Sequence, residues 1–185
     1  MLTWIVVIVV AAIAVAAIVM FNRLVRARQM AREGWSGIDV QLKRRSDLIP
    51  NLVDSVKGYA AHERELLTKV TGLRGAARAL PADDVAQRGA IEGALSAALG
   101  QVMVLAEAYP DLKASDNFLA LQRQLSEIEN DIQMARRYYN GAVRNLNILI
   151  ETFPSNLIAG PFGFAPMAYF ELDDAAARNA PVVKV

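Results

Sequence analysis

No charged side chain occurs in the first 22 residues of this chain. Leu2 to Phe21 is an almost unbroken run of Leu, Ile, Val, Ala, Met and Phe with one Trp. A helix crosses the roughly 30 Å hydrocarbon layer with about 20 apolar residues, so this run is long enough to span a bilayer. Arg23, Arg26, Arg28 and Arg32 come directly after it. Basic side chains beside a span are retained on the cytoplasmic face, where anionic lipid attracts them. The expectation is one transmembrane anchor over residues 1–22, with the N-terminus outside and the remainder in the cytoplasm.

Two rivals are weaker. A cleaved signal peptide opens with a charged segment and has an apolar core of about 7–15 residues; this chain has neither. A buried core helix that is uncharged on every face needs a large protein around it. The chain beyond residue 22 holds all twenty Lys and Arg and all nineteen Asp and Glu. It has room for one domain. Its charge balance lacks the basic surplus of a nucleic-acid binder. With no cysteine, disulfides, thiolate nucleophiles and thiolate metal sites are excluded.

The clearest periodicity runs through Phe118, Leu121, Leu125, Ile128, Ile132, Ala135, Tyr139, Ala142, Leu146, Leu149 and Phe153, at alternating steps of three and four. Such a seam specifies a long helix packed on a partner helix. Ser115 is placed to cap it, Asp116 to offset its dipole, and Pro154 to end it. At 1.5 Å per residue it would extend for about 58 Å. A second seam, Ile91, Leu95, Ala98, Val102, Leu105 and Tyr109, starts after Pro81, Asp83 and Asp84 and stops at Pro110. Gly89, Gly93 and Ala97 form a small-residue stripe that either admits another helix or belongs to a merely alanine-rich one. The short break from Pro110 to Ala114 predicts an antiparallel hairpin.

Before these, Trp35, Ile38, Leu42, Arg45, Ile49, Leu52, Val56 and Tyr59 keep the same rhythm across Pro50, and Leu66, Val70, Leu73 and Ala77 continue it. Proline removes a backbone donor and clashes with the preceding turn, so a kink or a break is expected there. Ser46 or Asp47 could cap a restarted helix with Pro50 in its first turn. The break is preferred, because four segments of similar length then make a compact bundle. The fold class is thus all-α: a transmembrane helix, then an antiparallel up-and-down bundle of three to four long helices over residues 23–153. Residues 154–172, rich in Gly, Pro and aromatics, should pack on the bundle or on a partner. Residues 173–185 should form a flexible tail.

The stretch Trp35-Ser36-Gly37-Ile38-Asp39-Val40-Gln41-Leu42-Lys43-Arg44-Arg45-Ser46-Asp47-Leu48-Ile49-Pro50-Asn51-Leu52-Val53, continued by Val56-Lys57-Gly58-Tyr59-Ala60 and His62-Glu63, resembles the signature of the LemA family. Tyr109-Pro110-Asp111-Leu112-Lys113-Ala114 with Asn117-Phe118, and Ala135-Arg136-Arg137-Tyr138-Tyr139-Asn140 with Phe153-Pro154, resemble its later blocks. The resemblance covers essentially the whole chain. It implies a bacterial inner-membrane protein, single-pass, with a cytoplasmic helical bundle and no established enzymatic activity. It further implies a family with one branch tied to biogenesis of magnetic organelle membranes and others encoded near membrane proteases.

His62 is the single histidine. Without a second histidine or a cysteine, ordinary zinc and copper sites cannot be assembled. His62 beside Glu63 reads as a polar residue near a helix seam. Gly72 and Gly75 lack the lysine and strand context of a phosphate loop. Glu127, Glu129 and Asp131 point successive carboxylates to different helix faces, which predicts a solvated surface and no cation site. Neither a catalytic residue nor a cofactor is expected.

Arg45 falls on the apolar seam, with Asp39, Gln41 and Asp47 nearby. An unpaired arginine in a helix interface costs several kcal/mol, so a carboxylate partner is expected, with Glu63, Glu107 and Asp111 as candidates. The four residues form either a buried polar cluster that fixes register or a docking surface. Arg23, Arg26, Arg28 and Arg32 set topology and can hold anionic headgroups. Phe162, Phe164, Tyr169 and Phe170 either cap the open end of the bundle or contact a partner or lipid. The functional expectation is a non-enzymatic, membrane-anchored scaffold that self-assembles or recruits partners to organise or remodel the inner membrane. Its partners would be the lipid bilayer, further copies of itself and other membrane proteins. The alternative is a one-to-one adaptor in envelope signalling or membrane proteolysis.

Overall fold

The structure, a computed structural model, describes residues 1–59, 63–81 and 84–172. Among these there are six helices and no strand: α1 (Leu2–Lys57), α2 (Arg64–Ala79), α3 (Val85–Ala106), α4 (Pro110–Lys113), α5 (Asp116–Glu151) and α6 (Asn156–Ala159). The chain groups into two compact units. One comprises Met1–Gly37 and Ala135–Tyr169, the other the described residues of Ile38–Met134 together with residues 170–172.

The second unit is the up-and-down bundle that the periodicity predicts. Arg74 and Arg78 of α2 meet Ser46 and Asp47 of α1, while Val53 and Leu67 line one cavity. Rising numbers on one helix meet falling numbers on the other, so α1 and α2 are antiparallel. Asp39 pairs with Arg88 and Arg45 with Glu92, so α3 runs parallel to α1. Arg44 reaches Asp131 and Arg45 reaches Glu129, so α5 returns antiparallel. The core unites Ile49, Leu52 and Val56 of α1, Val70 of α2, Leu95, Ala98 and Val102 of α3, and Phe118 and Leu125 of α5. These are the seam positions, and burying them is what turns marginal isolated helices into a stable assembly. Asp84 caps α3, its carboxylate accepting from the Gln87 N–H at 3.1 Å.

Pro50 corrects the sequence expectation. The preferred break is absent, and α1 passes through Pro50 without interruption. Having no N–H, Pro50 leaves the carbonyl of Ser46, one turn earlier, without its helical donor. The Arg74 guanidinium supplies a replacement: its Nε donates to Ser46 O at 2.7 Å. Ser46 and Asp47 are therefore helix interior and not caps, and the apolar stripe holds phase across the proline. Arg74→Ala should destabilise the fold by about 1–3 kcal/mol, the cost of an orphaned acceptor. In a Pro50→Ala background the loss should shrink, because the restored N–H takes the Ser46 carbonyl. Urea unfolding of the four variants measures this, and equal losses in both backgrounds would refute the compensation.

In the first unit α1 and α5 are again antiparallel, Leu24 lying with Leu146 and Trp35 against Tyr139 at 5.5 Å between ring centroids. Gly34 makes their approach possible: a Cβ there would stand 3.0 Å from the Tyr139 Cα. The α5 seam is buried as expected through Tyr139, Ala142 and Leu146, but Phe153 lies beyond the helix and is exposed. A cis peptide joins it to Pro154. The chain then forms α6, turns at Gly163 with φ +68°, a left-handed conformation that favours glycine, and runs back along the helix pair. Residues 154–169 therefore pack within this unit, while Phe170 is buried in the other.

Among the described residues, two helices are long and apolar enough to cross a membrane. In α3 the stretch carries Leu95, Ala98 and Val102 into the bundle core, so packing accounts for part of its apolarity. In α1 no residue of the apolar window is buried, so packing within the described structure does not account for its apolarity.

Candidate functional site

The largest fully buried side chain in the described structure is Arg45. Its Nη2 donates to Glu92 Oε2 at 2.6 Å and to the Glu92 carbonyl at 3.3 Å. Its Nη1 donates to Glu129 Oε2 at 2.8 Å and to Ser96 Oγ at 2.5 Å. The Ser96 hydroxyl in turn donates to Glu129 Oε1 at 2.8 Å. One planar guanidinium thus ties α1 to α3 and α5 through the forked geometry that arginine alone provides. Glu92 is nearly as buried as Arg45, whereas Glu129 is partly exposed at the rim.

The sequence candidates for Arg45 were different residues. Glu107 binds Lys113 instead, and none of Glu63, Glu107 and Asp111 is among its partners. Glu129, expected on a solvated surface, is a ligand of the buried arginine, and Asp131 lies 3.4 Å from Arg44. The other members of the expected cluster do not converge on Arg45. Asp39 pairs with Arg88 at 2.6 Å, Gln41 accepts from Arg44 at 2.9 Å, and Asp47 faces Arg78 at 4.0 Å. Glu92 carried a legible signal that sequence reasoning missed. It stands in phase with Leu95, Leu99, Val102 and Ala106, all buried, so a carboxylate on that stripe demands a buried cation. Ser96 and Glu129 gave no such signal.

The small-residue stripe resolves differently from both sequence readings. Gly89 and Gly93 are buried and Ala97 is exposed. The backbone of Glu171, and not a helix, approaches Gly89; its carbonyl oxygen would stand 2.2 Å from a Cβ there.

At the foot of the apolar run the first unit gathers arginines and aromatics. Phe21 meets Phe162 and Phe164 edge-on, with centroids 5.1 and 5.8 Å apart. The Arg28 guanidinium lies 4.5 Å above the Phe164 ring, a cation–π contact that gives Arg28 a packing role beyond topology. Arg23, Arg26 and Arg32 are exposed. Of the four expected contact aromatics, Phe164 and Phe170 are buried, while Phe162 and Tyr169 are exposed. Asn147 clamps the segment to α5, accepting from the Met167 N–H at 2.9 Å and donating to its carbonyl at 3.0 Å. The Tyr139 hydroxyl donates to the Ala168 carbonyl at 2.8 Å, and burial raises its pKa above the ordinary phenol value.

His62 and the tail at 173–185 lie outside the described residues. Among the described residues no group of three or more acidic or histidine side chains is placed to hold a metal ion. A cavity of about 760 Å³ opens between α1 and α2, lined by Val53, Lys57, Arg64, Leu67, Thr68, Thr71 and Gly72. The Thr71 hydroxyl there donates to the Leu67 carbonyl, and among the described lining residues there is no carboxylate or histidine. A cavity of about 190 Å³ beside Asp39, Asp47, Arg78, Arg88 and Glu92 is below the usual 300–1,000 Å³ of ligand pockets.

Known proteins resemble the chain over most of its length. The model of the LemA family matches residues 34–185. Protein LemA of Metamycoplasma hominis is 28% identical over 153 residues, covering 83% of this chain and 69% of that protein. Magnetosome protein MamQ 2 of Paramagnetospirillum magneticum is 25% identical over 187 residues, covering 88% of this chain and 68% of that protein. Magnetosome protein MamQ of Magnetospirillum gryphiswaldense is 22% identical with the same coverage. The exposed apolar start of α1, together with these relatives, indicates a membrane-associated protein.

Proposed function

The chain belongs to the LemA family, and on that premise we propose that it is a non-enzymatic, membrane-anchored helical scaffold. It assembles with copies of itself or with other membrane proteins and so organises the bacterial inner membrane. The observation that supports this most is the Arg45 cluster. Its terminal nitrogens, both carboxylates and the Ser96 hydroxyl bond to one another, as in a structural lock and unlike a site poised for substrate. The exposed apolar run of α1 supplies the anchor, and Arg23, Arg26, Arg28 and Arg32 favour a cytoplasmic bundle. The relatives named as magnetosome proteins support a role in membrane organisation.

Extraction of the full chain from native membrane in polymer-bounded discs, followed by mass photometry, tests the reading. Homo-oligomers or multi-protein assemblies are the expected result. A monomer bound to one partner in equal amount would instead establish the adaptor. A purified chain that turns over a defined substrate, and loses that activity with one charged residue, would defeat both.

A further inference from the structure

We propose that residues 153–162 form a second membrane contact, an apolar wedge that enters the headgroup region beside the span. The inference deepens the scaffold reading and rests on Leu2–Phe21 being the membrane-spanning segment. Three large apolar side chains of this short stretch are exposed: Phe153 at 73%, Leu157 at 63% and Phe162 at 60%. Large apolar side chains left exposed together in so short a stretch mark a surface that binds something apolar.

The position of the patch identifies its occupant. Phe162 touches Phe21, the last apolar residue of the run, and Arg23 and Arg26 stand exposed within two turns of it. An apolar run of about 20 residues fills the hydrocarbon layer, so Phe21 lies at its edge and its neighbour Phe162 lies at the same depth. Aromatic side chains favour that interface, and arginines there find lipid phosphates. The patch is thus continuous with a surface already in lipid. The wedge is also held in place. Gly163, at φ +68°, turns the chain back, Phe164 anchors under Arg28, and Asn147 clamps Met167. Phe162 is therefore presented by a fixed turn, with Phe164 facing inward and Phe162 outward.

The absence of native cysteine allows single-site labelling of the full chain. Nitroxide labels at Phe162→Cys, Leu157→Cys, Ile13→Cys and Glu33→Cys would be compared in liposomes of phosphatidylcholine and phosphatidylglycerol. Accessibility to oxygen and to a neutral nickel chelate is the readout. Position 13 reports the middle of the span, and exposed position 33 lies about 18 Å along α1 from Phe21. Labels at 162 and 157 should show an oxygen-to-nickel ratio several-fold above that at 33 and below that at 13. A ratio at both positions equal to that at 33 would overturn the wedge while leaving the anchor intact. Low accessibility to both reagents with dipolar broadening would show a second copy on the patch, and would also overturn it. A water-exposed label at 13 would bring down the span reading itself.

Discussion

Replacing Arg45 by alanine should destabilise the protein by about 3–5 kcal/mol, because it strands the Glu92 carboxylate in a site from which water is excluded. For a chain of this size that corresponds to a fall in Tm of roughly 6–20 °C, read by circular dichroism of the full chain in detergent. The expected recovery is as informative as the loss. Buried ion pairs barely repay the desolvation of their charges, so replacing both partners by apolar residues of similar volume is often neutral or stabilising by about 1–4 kcal/mol. The double variant Arg45→Met, Glu92→Met should therefore regain most of the lost stability. Arg45→Lys should fall between, since one ammonium cannot fork toward Glu92, Ser96 and Glu129 together. An Arg45→Ala protein with an unchanged Tm would remove the cluster from any structural role. A stable double variant that no longer assembles would assign the same residues to docking.

The carboxyl-terminal segment should be comparably sensitive. Phe170, a sequence candidate for partner contact, is 0% exposed, and truncation to alanine should cost about 3–5 kcal/mol through lost burial and an unfilled cavity. Gly89→Ala attacks the adjoining residue, Glu171, from the α3 side. Its Cβ would meet the Glu171 carbonyl oxygen at 2.2 Å, and a backbone atom cannot swing away as a side-chain tip would. Overpacking of this kind costs about 1–3 kcal/mol. Both variants should open residues 169–172 to limited proteolysis while helix content stays nearly constant. Their combined effect should be less than additive, since they disturb adjoining residues of one segment. Unchanged proteolysis in Gly89→Ala would show that the segment does not rest on α3.

Much of the architecture was legible before any contact was known. The rhythm from Phe118 to Leu146 identified α5 and its buried face, because helical periodicity is a local property of the backbone. The same holds for α3 from Ile91 onward and for the phase kept across Pro50. The preference for a break at Pro50 failed for a definite reason. A proline's cost depends on whether anything else satisfies the abandoned carbonyl, and here the donor is Arg74, 28 residues further along the chain. The partners of Arg45 were missed on the same ground. Glu92 and Glu129 lie 47 and 84 residues away, so bundle geometry selects them over the nearer carboxylates.

By itself the sequence determined that this chain carries a membrane-length apolar helix and a set of amphipathic helices that must pack together. Both stem from the order of apolar and charged side chains along one segment, and no distant residue can alter them. Only the tertiary structure decided which charges neutralise one another, whether α1 survives its proline, and which aromatics are buried or left outside. Those outcomes depend on atoms brought within hydrogen-bond or van der Waals range from remote parts of the chain. Phe162 and Phe164 make the division concrete: two positions apart and chemically identical, one is exposed and the other lies beneath an arginine.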